Sequence, residues 1–345
     1  MKLENQPHLK GFTVQYQLEK GLYLSKGPKI YFYDFLTDKI NYLGTVPVSF
    51  KHRILSNSSI ISRLLRLKIY NIVPISENEL FVCFNKWQFV LSDGKWSMIK
   101  GVDRPFKILR GGVAKTLKST LYFGEYISNP ERKEMRVYKL KSGSKVATVA
   151  YTFDSNEIRH IHGVHYDSFD NSIWVLTGDI GTECLIGRTY NDFSSFEIIG
   201  RGDETWRAIT PCFTKNNIYY AMDAEFVQNH VLKIERDSLA RTIIGNVNGP
   251  SYYSATLGET VLIGSTSELC PSQSSAESQI LEVANDQLKL ISKYKKDFFG
   301  MRFFVKYFQA GLIEFSYNSD NTPIQYFSSQ GLIGIRKKVF KVIVE

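Results

Sequence analysis

An all-β fold is the reading the amino-acid sequence supports. Aromatic residues make up 14% of the 345 residues, with 20 Tyr and 23 Phe. The apolar stretches are short and alternating, and turn-forming Asn, Asp, Gly and Ser separate them. These strand-like runs repeat about every 45 to 50 residues, the length of a four-stranded propeller blade. One β-propeller domain over residues 1–345 is therefore expected, with seven blades as the best count and six as the alternative.

The blades follow in order along the chain. Residues 12–46 hold a partial copy and residues 70–100 a less regular one. The next unit places strands at 108–113, 121–125, 135–139 and 146–149. The clearest unit has its strands at 161–166, 172–179, 184–188 and 196–200, and its successor at 206–209, 217–223, 230–234 and 241–244. Further copies occupy 252–293 and 303–333. The N-terminal copy is expected to donate a strand to the last blade near residues 339–344, so that the ring leaves no long open edge.

Composition bounds the partners. The net charge of +9 suits an acidic partner. The excess lies in residues 51–68, 289–296 and at Lys337 and Lys338, and no aromatic-plus-basic recognition motif accompanies it, which argues against nucleic acid. Within 62–68 the mix of Arg and Leu predicts a short amphipathic helix packed on the body. No stretch is apolar enough to span a membrane and the start lacks a signal-peptide core, so a cytoplasmic location is expected; composition leaves the oligomeric state open. Cys83, Cys184, Cys212 and Cys270 are unevenly spaced, without a Cys-x-x-Cys pair, and are expected as buried thiols.

Three of six histidines fall in the run Arg159-His160-Ile161-His162-Gly163-Val164-His165. Residues two apart on a strand share a face, so His160 and His162 project together, while His165 points away unless the backbone bulges at Gly163. Mutual repulsion lowers at least one of the paired pKa values, and neutral imidazoles suit a base or a metal. In a blade, the start of the first strand and the end of the second meet at one face. The first position supplies Arg110, His160, His162, Arg207, Tyr252, Tyr253 and Arg302. The second supplies Glu125, Asp179 and Asp223, with Glu183 and Glu225 close behind. The recurring acids either cap turns or line a pocket. For a lyase, Arg207 or a metal would neutralise a uronate carboxylate while His162 or Tyr252 removes the adjacent proton. For a glycoside hydrolase, two of Glu125, Asp179, Asp223 and Glu225 would divide the acid and base roles.

At the level of the blade, Ser92-Asp93-Gly94-Lys95-Trp96 resembles a shortened Asp-box and 191–196 a decayed one, which makes the chain similar to the sialidase or BNR-repeat propellers. The sialidase arginine triad and Tyr–Glu pair do not map onto this sequence. Residues 122–126, 160–164, 174–179 and 248–253 resemble uncharacterised bacterial propeller proteins associated with polysaccharide gene clusters. Glu157-x-x-His160-x-His162 resembles the Gln-x-x-His-x-His of oligogalacturonate lyase, with Glu replacing Gln and with His165 or His230 as candidates for its third histidine. That likeness implies a divalent metal, Mn or Ca, held by His160 and His162. The resulting expectation is a protein that binds and cleaves an acidic or decorated polysaccharide or oligosaccharide, as lyase or hydrolase. Its catalytic residues would be His160, His162, Asp179, Arg207 and Tyr252, and its substrate-binding residues Arg110, Glu125, Glu183, Asp223, Glu225 and Tyr253. A non-catalytic glycan-binding scaffold is the alternative.

Overall fold

Seven four-stranded antiparallel sheets, the blades of a β-propeller, make up a computed structural model that describes residues 1–297, 310–318 and 322–343. Six sheets are built from consecutive strands, each strand pairing with the next in the chain. The expected strand at 161–166 extends to His160–Asp167, and its partners are Ser172–Gly178, Leu185–Thr189 and Glu197–Arg201. The partial N-terminal copy is a complete blade, from Thr13–Leu18 to Lys39–Thr45. The donated strand precedes that blade instead of being taken from it: Lys2–Asn5 pairs antiparallel with Val339–Ile343. Part of the expected copy at 303–333, including Arg302, lies outside the described residues.

The blades divide into two compact units, residues 1–67 with 211–345, and residues 68–210. In the second unit, the second strands Glu79–Phe84 and Ser172–Gly178 are buried at every position, while the outermost strand Glu197–Arg201 has no buried residue. This gradient explains why second strands read as continuous apolar runs, because neighbouring blades cover both faces. Ala114, Tyr122, Val137, Ile161, Val164, Ile173 and Val175 form one such inter-blade core. The approach is close at Gly124, where an added Cβ would lie 2.4 Å from a methyl of Ile161. In the first unit, Leu9, Val14, Leu22, Leu24, Tyr326 and Val339 pack the N-terminal blade onto the sheet that holds the donated strand.

Cys83, Cys184 and Cys212 are buried free thiols as expected, whereas Cys270 is half-buried. The expected helix at 62–68 forms as Ser59–Leu65, preceded by a helix at Phe50–Leu55. Its polarity is the reverse of an amphipathic helix packed on the body. Arg63 is buried, while Ile60, Leu64 and Leu65 are exposed, because Arg63 is drawn inward by Asp297 at 2.5 Å.

Candidate functional site

The histidine strand owes its geometry to one irregularity. His160 pairs with Gly178 and Ile161 with Thr177, but the next pair is Gly163 with Leu176, so His162 is an extra, bulged residue. The bulge falls beside the position expected for it. It returns His165 to the side it would otherwise leave, and His162 and His165 bond successive carbonyls of the following first strand. His162 Nδ1 lies 2.9 Å from the Ala208 oxygen, and His165 Nε2 lies 2.9 Å from the Ile209 oxygen. Gly163 is needed here, since a Cβ would fall 2.3 Å from His165 Nε2.

His160 and His162 project together, with their Nε2 atoms 3.2 Å apart. His160 Nδ1 lies 3.2 Å from the Ile127 oxygen, and its ring packs on Tyr126 at 4.3 Å between centroids. A carbonyl only accepts, so both Nδ1 atoms carry a proton, and the two Nε2 atoms turn toward each other. Asp179, following the second strand, completes the group: its Oδ1 is 3.2 Å from His160 Nε2 and 3.5 Å from His162 Nε2. Two guanidiniums hold this carboxylate. Arg159 Nη1 donates to Oδ2 at 2.7 Å, and Arg207 reaches Oδ1 at 3.5 Å while donating to the Asp179 carbonyl at 3.1 Å.

Burial pushes the His162 pKa down to about 4, helped by the charges of His160 and Arg207 and opposed by Asp179. For Asp179, burial acts to raise the pKa, but the contacts of His160 and His162 with its carboxylate outweigh it and hold the carboxyl well below the usual range. At neutral pH the group therefore holds a neutral His162 and an ionised Asp179.

Among the described residues, His160, His162 and Asp179 form the one group of three donors close enough to hold a metal ion. The fit is good in chemistry: ligating imidazoles characteristically donate their other N–H to a carbonyl, and ligating carboxylates are themselves hydrogen-bonded. The separations of 3.2 to 3.5 Å match the edges, about 3.3 Å, of a tetrahedron with zinc-like bond lengths. Two imidazoles argue against Ca, which takes oxygen ligands. The histidine-based likeness does not extend further. Glu157 accepts the Asp154 N–H at 3.0 Å and lies near Arg201, and His230 Nδ1 is 2.9 Å from Asn246 Oδ1.

The structure thus joins His160, His162, Asp179 and Arg207. It gives Glu125 and Glu183 structural partners instead. Glu125 is fully buried, held bidentately by Arg104 at 2.8 and 2.6 Å and by the Arg136 N–H at 2.9 Å. Glu183 takes Arg132 Nε at 2.6 Å. Arg110 is buried in the same unit. Tyr252, Tyr253, Asp223 and Glu225 belong to the unit of residues 1–67 and 211–345. There the Tyr252 hydroxyl donates to Glu268, the rings of Tyr252 and Tyr253 meet at 6.0 Å, Asp223 is buried, and Glu225 is half-buried. Arg159 and Tyr126 were not singled out from the sequence. Both stand directly beside residues that were, Arg159 before His160 and Tyr126 after Glu125, and that adjacency was the available signal.

Several solved structures share the fold. A component of the mitotic checkpoint complex aligns over 100% of this chain and 94% of its own, at 6% identity and a TM-score of 0.58. YCF48 bound to D1 peptide aligns over 99% and 95%, at 9% identity and a TM-score of 0.57. A prolyl endopeptidase aligns over 98% of this chain and 51% of its own, at 11% identity and a TM-score of 0.55. At such identities the likeness establishes the propeller and nothing of its chemistry. No protein-family model and no curated protein matches the chain.

Proposed function

We propose that the protein binds an acidic polysaccharide and cleaves it by elimination beside a uronate, at the group formed by His160, His162, Asp179 and Arg207. The supporting observation is the convergence of two Nε2 atoms and one carboxylate oxygen within 3.5 Å of each other, flanked by two guanidiniums. In this reading Arg159 and Arg207 meet the uronate carboxylate, for which planar guanidiniums are suited. A bare Nε2 takes the α-proton, with His160 the more accessible of the two rings and Asp179 steadying the imidazolium; the β carbon–oxygen bond breaks as the carbon–carbon double bond forms, and the departing glycosidic oxygen takes a proton from that imidazolium or from water. Elimination is favoured over hydrolysis because the other carboxylates expected at the site in this unit, Glu125 and Glu183, are spent on Arg104 and Arg132.

The spacing of the three donors favours a second role for them. His160, His162 and Asp179 would hold a divalent cation, which when bound supplies a Lewis acid for the same carboxylate. One lone pair cannot hold a cation and accept a proton at once, so metal content separates the two roles.

The test is incubation with a panel of uronate oligosaccharides, following the ultraviolet absorbance of the new carbon–carbon double bond. Wild type is expected to produce it, and His160→Asn and His162→Asn to lose at least about a hundredfold in rate. Stoichiometric metal lost from both variants assigns the donors to a cation. Binding without cleavage would leave a glycan-binding scaffold, and neither binding nor cleavage across the panel would end the proposal.

A further inference from the structure

The two short helices between the first and second blades add a surface that the blades do not need. The first, α1, spans Phe50–Leu55 and the second, α2, spans Ser59–Leu65. Ser49 and Ser58 cap them, each hydroxyl accepting a main-chain N–H at 3.4 Å, and Arg66 ends α2 in the left-handed conformation. The ion pair of buried Arg63 with half-buried Asp297 fastens the hairpin to the body, and Leu67, just after α2, is buried.

What the hairpin turns outward is apolar. Phe50 is 78% exposed, Ile54 54%, Ile60 45%, Leu64 43% and Leu65 47%. Phe50 with Ile54 and Ile60 with Leu64 are four residues apart, so each pair shares one helix face. Interspersed with them are exposed Lys51, Arg53 and Arg66. No acidic residue occurs between Asp38 and Glu77.

We infer that α1 and α2 dock the protein on the surface of an anionic lipid bilayer. Large apolar side chains at helical spacing, accompanied by Lys and Arg and no acids, are the composition of an interfacial helix. There the apolar face enters the acyl boundary and the cations meet anionic headgroups. An acidic polysaccharide complements the charge but offers nothing to five large apolar side chains. A second copy on a two-fold axis would set Lys51, Arg53 and Arg66 against themselves. The burial of Arg63 in place of Leu64 and Leu65 shows that the outward apolar residues are not part of the protein's own core.

The experiment is co-sedimentation of the full chain with vesicles of phosphatidylcholine alone and of phosphatidylcholine mixed with phosphatidylglycerol. Sedimentation is expected only with the mixed vesicles, and added salt should release the protein. Lys51→Gln and Arg53→Gln should each lower partitioning about fivefold. Phe50→Ser with Ile54→Ser should abolish it while circular dichroism and melting stay unchanged, since both residues are exposed. Equal binding to neutral vesicles, or none to either, would overturn the inference. So would a concentration-dependent dimer lost in the Phe50/Ile54 variant, or capture of acidic polysaccharide through Lys51 and Arg53.

Discussion

His165 shows what one buried imidazole does to stability. It is enclosed with its Nε2–H on the Ile209 carbonyl, and burial pushes its pKa down to about 4 from the ordinary 6.5. The unfolded chain therefore binds a proton below about pH 6.5 that the folded protein refuses until about pH 4. Stability should be full above 6.5 and fall steadily as the pH drops toward 4, by about 3 kcal/mol for this residue. His165→Gln keeps a donor for Ile209 and removes the titration. In urea titrations at pH 7.5 and pH 5 the wild type should lose more than the variant, and an equal loss in both would show that His165 is not the cause. Glu125 carries a different lesson at the same scale. The sequence marks it as an acid at a second-strand end, like Asp179, yet Arg104 and the Arg136 N–H take both its oxygens. Whether such an acid is free for a ligand depends on an arginine 21 positions away.

At the scale of elements, inter-blade packing sets strict limits. Gly124 ends the second strand Thr120–Gly124 against Ile161 of the next blade, and Ile161 separates the two site histidines. Gly124→Val forces Ile161 aside and is expected to destabilise by about 1–3 kcal/mol, read as a lower urea midpoint. Because Ile161 sits between His160 and His162, the same variant should weaken whatever the pair binds, whereas Gly94→Ala, strained by its φ of +74° in the turn between Ser92 and Lys95, should lower stability without that effect. Most strands were legible in the sequence: alternation and turn residues are local properties, and the expected limits of the 161–200 blade differ from the observed ones by a residue or so, although the strand expected at 108–113 is Val113–Lys115. The polarity of α2 was not legible. Its Leu residues belong inward by pattern, but a half-buried carboxylate far along the chain, Asp297, pulls Arg63 inward instead.

For the whole molecule, the donated strand is the feature to perturb. Lys2–Asn5 supplies the outer strand of the sheet formed by Leu312–Phe315, Tyr326–Gln330 and Val339–Ile343, so residues from both termini share one ladder. Deleting residues 2–6 would leave Val339–Ile343 as an unpaired edge. The melting temperature is expected to fall by about 5 °C or more, and calorimetry on the truncated chain checks it; an unchanged transition would mean that the strand contributes little.

The sequence by itself determined a propeller of seven or six blades, the need for an N-terminal strand to cover the edge of the last blade, and the common face of His160 and His162. Each of these follows from local periodicity, from turn residues and from the rule that sheet edges must be covered. Only the tertiary structure decided that Asp179 and Arg207 join those histidines, that Arg159 and Tyr126 belong with them, and that Glu125 and Glu183 do not. These outcomes rest on contacts between residues tens of positions apart. They also rest on a single bulged residue whose effect on side-chain direction depends on the carbonyls, Ala208 and Ile209, that the neighbouring strand presents.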